Sequence, residues 1–236
     1  MSKPMNILVG CEFSGAVRSQ LRKRGHNAWS CDLIPASDDS PHHIQRDVLE
    51  VIKDGCWVCP DSLHHFHNTH HPDATRCPWD LLIAFPPCTY LCNMALWWNH
   101  KRPERWQHTE AAITFVQALM DAPIDRIAVE NPVGILSTRI RKPDQYIHPF
   151  HHGDEASKRT CLWLKNLPLL EKTQVVSEGK FYVRKTGQRV GQRMAAWSHI
   201  TSGTRKAERA RIAATTFPGI ASAMAKQWGG SIPPCA

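Results

Sequence analysis

The stretch Leu81-Leu82-Ile83-Ala84-Phe85-Pro86-Pro87-Cys88 sets the tightest limit on what this chain can fold into. A short apolar run of this length suits a buried parallel strand, and two consecutive prolines forbid its continuation. Such strands belong to α/β sheets covered by helices on both faces. Cys88 is therefore expected just past the carboxyl end of a strand, where open α/β sheets hold their ligands. The plainer reading of a cysteine after a strand is a buried structural thiol. The Pro-Pro-Cys setting favours a reactive one.

The flanking sequence repeats the pattern. Asn6-Ile7-Leu8-Val9 predicts a first strand over 5–10, leading into Gly10-Cys11-Glu12-Phe13-Ser14-Gly15. Residues 16–24 read as a helix, with Val17 and Leu21 four apart and Gly25 as its stop signal. Ala28-Trp29-Ser30-Cys31 predicts a second strand ending at Asp32. Strand, glycine turn, helix and a strand ending in an acid compose one nucleotide-binding βαβ unit. Asp32 lies 17 residues after Gly15, near the roughly 20 expected of a ribose-binding carboxylate. A full G-x-G-x-x-G is missing, and an Asp32 that merely caps a turn is the alternative. Asp47, opening the run Val48-Leu49-Glu50-Val51-Ile52, is placed to reach an adenine-type ring. Residues 110–120 predict an amphipathic helix with Ala111, Phe115, Ala118 and Leu119 on its apolar side. Arg126-Ile127-Ala128-Val129 predicts a further strand, ending in Glu130-Asn131-Pro132-Val133-Gly134. Glu130 and Cys88 are thus expected to face one crevice.

Two stretches depart from this rhythm. Cys56 and Cys59, then a histidine-rich run and Cys77, interrupt residues 54–78. Two cysteines three positions apart, histidines and a further cysteine can supply a tetrahedral zinc site, with Cys56, Cys59, His71 and Cys77 as the candidate ligands. The sequence does not choose among the histidines, and a polar insertion without metal is the alternative. Trp97, Trp98 and Trp106 stand among His100, Lys101, Arg102 and Arg105, a mixture able either to grip a nucleic-acid strand or to pack internally.

A chain of 236 residues suits one domain with an elaboration. No run approaches the roughly 18 apolar residues of a membrane span, and no leader-like segment precedes Met5. Nine cysteines without such a leader point to a reducing, cytoplasmic setting. A formal charge of +8 suits a polyanionic partner.

Taken together, Glu12-Phe13-Ser14-Gly15, Asp32, Asp47, Pro86-Pro87-Cys88, Glu130-Asn131-Pro132-Val133 and Thr216-Phe217-Pro218-Gly219-Ile220 resemble the cytosine-5 DNA methyltransferases, most closely their short phage-type members. The resemblance implies a Rossmann-like class I S-adenosylmethionine-dependent methyltransferase fold with a mostly parallel sheet. It implies a catalytic domain over 1–168 and 212–236, with a basic DNA-recognition segment over 169–211. Cys88 would be the nucleophile, Glu130 the acid at the cytosine ring nitrogen, and Lys158 would stand where the family has an arginine. Glu12, Phe13, Ser14, Gly15, Asp32, Asp47 and Pro86 would line the S-adenosylmethionine site. Double-stranded DNA would be the partner, its target base flipped out of the helix.

The chain departs from the family at Cys11, where an aspartate is usual, and at Ala16-Val17, where a glycine pair is usual. Thr89 replaces a glutamine, and Lys158 and Thr160 fall where two arginines are usual. Between 172 and 211 stand ten Lys and Arg against two acids. Phosphate contact would dominate there, and a target of about two to four base pairs is expected. Other readings of the same residues are an RNA substrate, a carboxymethyl-type donor, or a DNA-binding protein without turnover.

Overall fold

The computed structural model describes residues 4–55, 79–185, 190–196 and 206–230. Cys56, Cys59, His71 and Cys77, the expected zinc ligands, lie outside the described residues.

Seven strands form the central sheet: β1 (Asn6–Gly10), β2 (Asn27–Asp32), β3 (His43–Gln45), β4 (Leu81–Ala84), β5 (Arg126–Pro132), β6 (Gln145–Ile147) and β7 (Thr160–Lys165). Their order is β3-β2-β1-β4-β5-β7-β6. β1 pairs in parallel with β2 and β4, β2 with β3, and β4 with β5, while β7 runs antiparallel to β5 and β6. This is the Rossmann-like α/β fold, with the mostly parallel sheet that the sequence predicted. β1 is followed by α1 (Ala16–Arg22), β3 by α2 (Val48–Asp54), and β4 by α3 (Asn93–Lys101) and α4 (Arg105–Met120).

The strands are legible as apolar runs because both of their faces are covered. Ile7 and Val9 of β1, with Leu81 and Ile83 of β4, join one core with Val17, Leu21, Ile220 and Met224. Leu8 and Leu82 point the opposite way and join Val48, Val51, Ile113 and Val116, as a period of two requires. Gly25, in the left-handed region at φ 87°, ends the turn after α1, as its position predicted.

The apolar side of α4 is rotated from the one expected: Leu119 is buried and Phe115 packs against the core, but Ala111 is not part of the buried face. Thr109, Ile113, Val116 and Leu119 are buried, Ala111 is exposed, and Phe115 and Ala118 are half-buried. Two residues settle the rotation. Ile113 and Val116 remove more apolar area from water than alanines could, and Thr109 turns inward because Asn99 Nδ2 donates to its hydroxyl at 2.8 Å.

Beyond the sheet, β8 (Phe181–Val183) and β9 (Arg193–Ala195) form a separate antiparallel pair within the basic segment. Two short helices follow it, α6 (Lys206–Ala214) and α7 (Pro218–Met224); α5 is the four-residue turn Leu136–Arg139. Among the described residues no helix is long and apolar enough to cross a membrane.

Candidate active site

The strand order reverses between β1 and β4, and it is beyond the carboxyl ends at such a point that open α/β sheets hold their ligands. The amide of Phe85 donates to Gly10 O at 3.0 Å, so the loop after β1 and the loop after β4 leave the sheet side by side. In the first loop Cys11 takes φ 56° and Gly15 φ 67°. The Glu12 carboxylate is turned inward, accepting from the amides of Val17 at 2.7 Å and Arg18 at 3.3 Å. Burial pushes its carboxyl up to about 7, against those amides and the Arg18 charge, which favour the ionised form. Arg18 lies beneath the loop, donating to Ser30 Oγ at 2.8 Å and pairing with Asp38. A methyl group on Gly15 would strike that guanidinium. Phe13 is buried, with the Arg211 guanidinium 5.2 Å from its ring.

Asp32 and Asp47 reach the same edge of the sheet. Asp32 Oδ1 accepts from the Ile34 amide at 3.2 Å, and Asp47 Oδ1 caps α2 by accepting from Leu49 N at 2.8 Å. Burial, and then the charge of Asp32, hold the Cys11 thiol protonated; Cys31 and Asp47 add to this. The two aspartates and Cys11 are therefore neighbours. Leu33 and Ile34, directly after Asp32, are left 70% and 42% exposed.

Cys88 sits in a turn whose carbonyl accepts from the amides of Leu91 at 3.0 Å and Cys92 at 3.2 Å. The end of β5 grips this turn on both flanks. On one side, Asn131 Nδ2 donates to Pro86 O at 2.7 Å. On the other, Ile135 N donates to Leu91 O at 2.9 Å, Asn93 N donates to Val133 O at 3.3 Å, and Cys92 bridges Gly134. The backbones approach so closely that a Cβ on Gly134 would stand 2.0 Å from Leu91 O.

Glu130, one residue before Asn131, is paired with Leu162 across the antiparallel ladder to β7. Burial raises its carboxyl above the ordinary range, while Lys158 and the Thr160 hydroxyl oppose the shift. The Cys88 thiol is pushed far up, first by a side-chain hydrogen bond with Cys92 and then by burial; the Lys158 cation draws it down and Glu130 raises it. Cys92, Glu130 and Lys158 thus all act on the Cys88 thiol, and Lys158 acts on Glu130 as well. Lys158 Nζ also donates to Ala213 O at 3.0 Å. It lines a cavity of about 320 Å³ whose other walls come from residues 212–218, Phe217 and Ile212 among them.

Sequence reasoning missed four participants. Cys92 could have been found by its spacing of four from Cys88, since a turn that opens a helix brings such positions together. Gly134 and Asn131 lay in the motif already quoted, but their contacts arise from docking across more than 40 residues. Arg211 over Phe13 had no local signal. Replacing Cys92 by alanine removes the largest influence holding the Cys88 proton. The expected result is a lower Cys88 pKa and faster alkylation at neutral pH, read by mass spectrometry of the peptide bearing Cys88. An unchanged or slower alkylation rate would contradict the assigned hydrogen bond.

No protein-family model matches the chain, and no curated protein does. Among solved structures the chain is similar to a prophage-encoded E. coli protein described as a presumed DNA modification methyltransferase, at 12% sequence identity and a TM-score of 0.47. The match covers 73% of this chain and 52% of that one, so the chain spans about half the length of the structure it matches.

Proposed function

We propose that this protein is a DNA cytosine-5 methyltransferase that uses S-adenosylmethionine and works through a covalent adduct between Cys88 and carbon 6 of a flipped cytosine. The observation that carries this reading is the clamp of β5 on the Cys88 turn, with Glu130 and Lys158 acting on the same sulfur. A thiol just past β4 and a carboxyl group on the neighbouring β5, each acting on the other, are the two groups that such an addition needs.

The crevice suits the donor on its own chemistry. Two acids at its rim can accept from ribose hydroxyls and an amino group, and the exposed Leu33 and Ile34 offer apolar area for a flat ring. S-adenosylmethionine, when bound, supplies an electrophilic methyl group. Cys88 Sγ passes its proton to solvent and adds to carbon 6 as the thiolate; the Lys158 cation favours that ionisation. Glu130, whose carboxyl burial raises above its ordinary range, donates its proton to ring nitrogen 3, so carbon 5 gains electron density. Once carbon 5 carried the methyl group, its own proton would pass to solvent, the pair of that C–H bond would restore the C5–C6 double bond and expel the Cys88 thiolate, and nitrogen 3 would return its proton to Glu130. Lys158 would hold the ring carbonyl, as the resembled family's arginine would.

The test is incubation of the chain with S-adenosylmethionine and duplex DNA, followed by mass spectrometry of the released nucleosides. 5-Methyldeoxycytidine is expected. A product methylated on an exocyclic nitrogen, or no product from DNA of mixed sequence, overturns the reading. The cysteines and histidine expected to bind zinc are untouched by this experiment.

A further inference from the structure

The helix that begins at the nucleophile's turn carries a surface the methyl-transfer chemistry does not use. Trp97 and Trp98, consecutive on α3, are each 45% exposed, and Trp106 at the start of α4 is 37% exposed. The first two meet edge to face, with centroids 4.9 Å apart and planes at 81°. A cation flanks each: Lys101 Nζ lies 5.9 Å from the Trp97 ring and the Arg102 guanidinium 5.7 Å from that of Trp98. Indoles left partly in water represent apolar area that a partner would cover.

The platform is held rigidly against the turn of Cys88. On the inner side of α3, Asn99 is fully buried and donates to the Thr109 hydroxyl, which donates onward to Tyr90 O at 3.3 Å. Arg105 Nε donates to Asn99 Oδ1 at 3.3 Å, and its guanidinium lies 4.7 Å over the Tyr90 ring. Tyr90 in turn stacks on His108 at 5.1 Å. Tyr90 is two residues from Cys88. The polar network therefore fixes where the tryptophans stand relative to the sulfur.

We propose that this face of α3 binds an unpaired nucleic-acid strand, stacking one or two bases on Trp97 and Trp98 while Lys101 and Arg102 meet the phosphates. The proposal rests on the reading of the site as one acting on nucleic acid and adds the state of the strand it takes. An indole accepts a base only where that base offers a free face, and a closed duplex hides its base faces in the stack. An apolar protein partner would have to strip water from Lys101 and Arg102 without repaying it, whereas phosphates satisfy both. Between residues 93 and 109, Glu104 is the only acid set against Lys101, Arg102 and Arg105.

The experiment uses the full chain without donor and a labelled thymidine strand of about 12 nucleotides, within the length such grooves cover. Thymidine alone keeps the measurement independent of any cytosine pocket. The Trp97→Ala/Trp98→Ala protein is expected to bind this strand about tenfold or more weakly, as the loss of base stacking requires. The Trp97→Phe/Trp98→Phe protein keeps planar rings and should retain most of the affinity. A duplex of the same length should change little in either variant. Equal binding by parent and alanine variant overturns the proposal, and so does a loss as large for duplex as for single strand. In the unaltered chain, the thymidine strand should also protect Trp97 and Trp98 from oxidation, read by peptide mass mapping; absence of protection overturns the proposal whether or not the alanine variant folds. A chain that binds through these tryptophans yet methylates nothing would leave the surface standing and remove only the proposed chemistry.

Discussion

Cys88→Ser should abolish methyl transfer, by about 10³-fold or more, while leaving DNA binding near its original level. A serine hydroxyl ionises far less readily than a thiol and is a poor nucleophile without a dedicated base. The turn itself should survive, because its hydrogen bonds from Leu91 N and Cys92 N end on the Cys88 backbone carbonyl and not on the side chain. Incorporation of labelled methyl into duplex DNA and a gel-shift titration read the two properties separately. Activity persisting near the parental rate would refute the nucleophile. A joint loss of binding and activity would mean that Cys88 supports the structure instead.

Gly134→Ala should be nearly as damaging, although residue 134 touches no reacting atom. Its new methyl group would stand 2.0 Å from Leu91 O, and both that oxygen and the Cys92 Cα at 2.8 Å belong to backbone. Backbone cannot yield as the tip of a flexible side chain would, so the turn that carries Cys88 must lift away from β5. The expected cost is about 1–3 kcal/mol of stability, with a fall in rate of about 10²-fold per folded molecule, since a displacement of roughly 1 Å is enough for that. Thermal unfolding measures the first and kcat on the folded fraction the second. A Gly134→Ala protein with parental rate would show that the β5 contact does not register the sulfur against Glu130.

Much of this architecture could be read from the amino acids because its strands are buried on both sides. Ile7, Leu8, Val9, Leu81, Leu82 and Ile83 are fully buried, and each pair of neighbours feeds opposite cores. Continuous apolar runs are the result, and they are easily seen. β3 escaped notice because His43 and Gln45 flank its one buried residue, Ile44. The face of α4 was misjudged because a threonine satisfied by Asn99 counts as polar in any pattern. In the site, Cys88 stands out because it follows a buried strand beside two prolines, and Glu130 because it closes an apolar run two residues before Pro132, within β5. Cys92, Gly134 and Arg211 matter through contacts between distant segments, which spacing alone does not encode. Glu12 shows the reverse case: a residue chosen as a donor ligand has its carboxylate engaged by the first amides of α1.

The double grip of β5 on the Cys88 turn has a bearing on how a base could enter. With Pro86 held from one flank and Leu91 and Asn93 from the other, that wall behaves as a jaw fixed to the sheet. A proposed base that needed more room would have to displace other contacts first, such as Lys158 Nζ on Ala213 O near the end of α6 or the Arg211 guanidinium over Phe13.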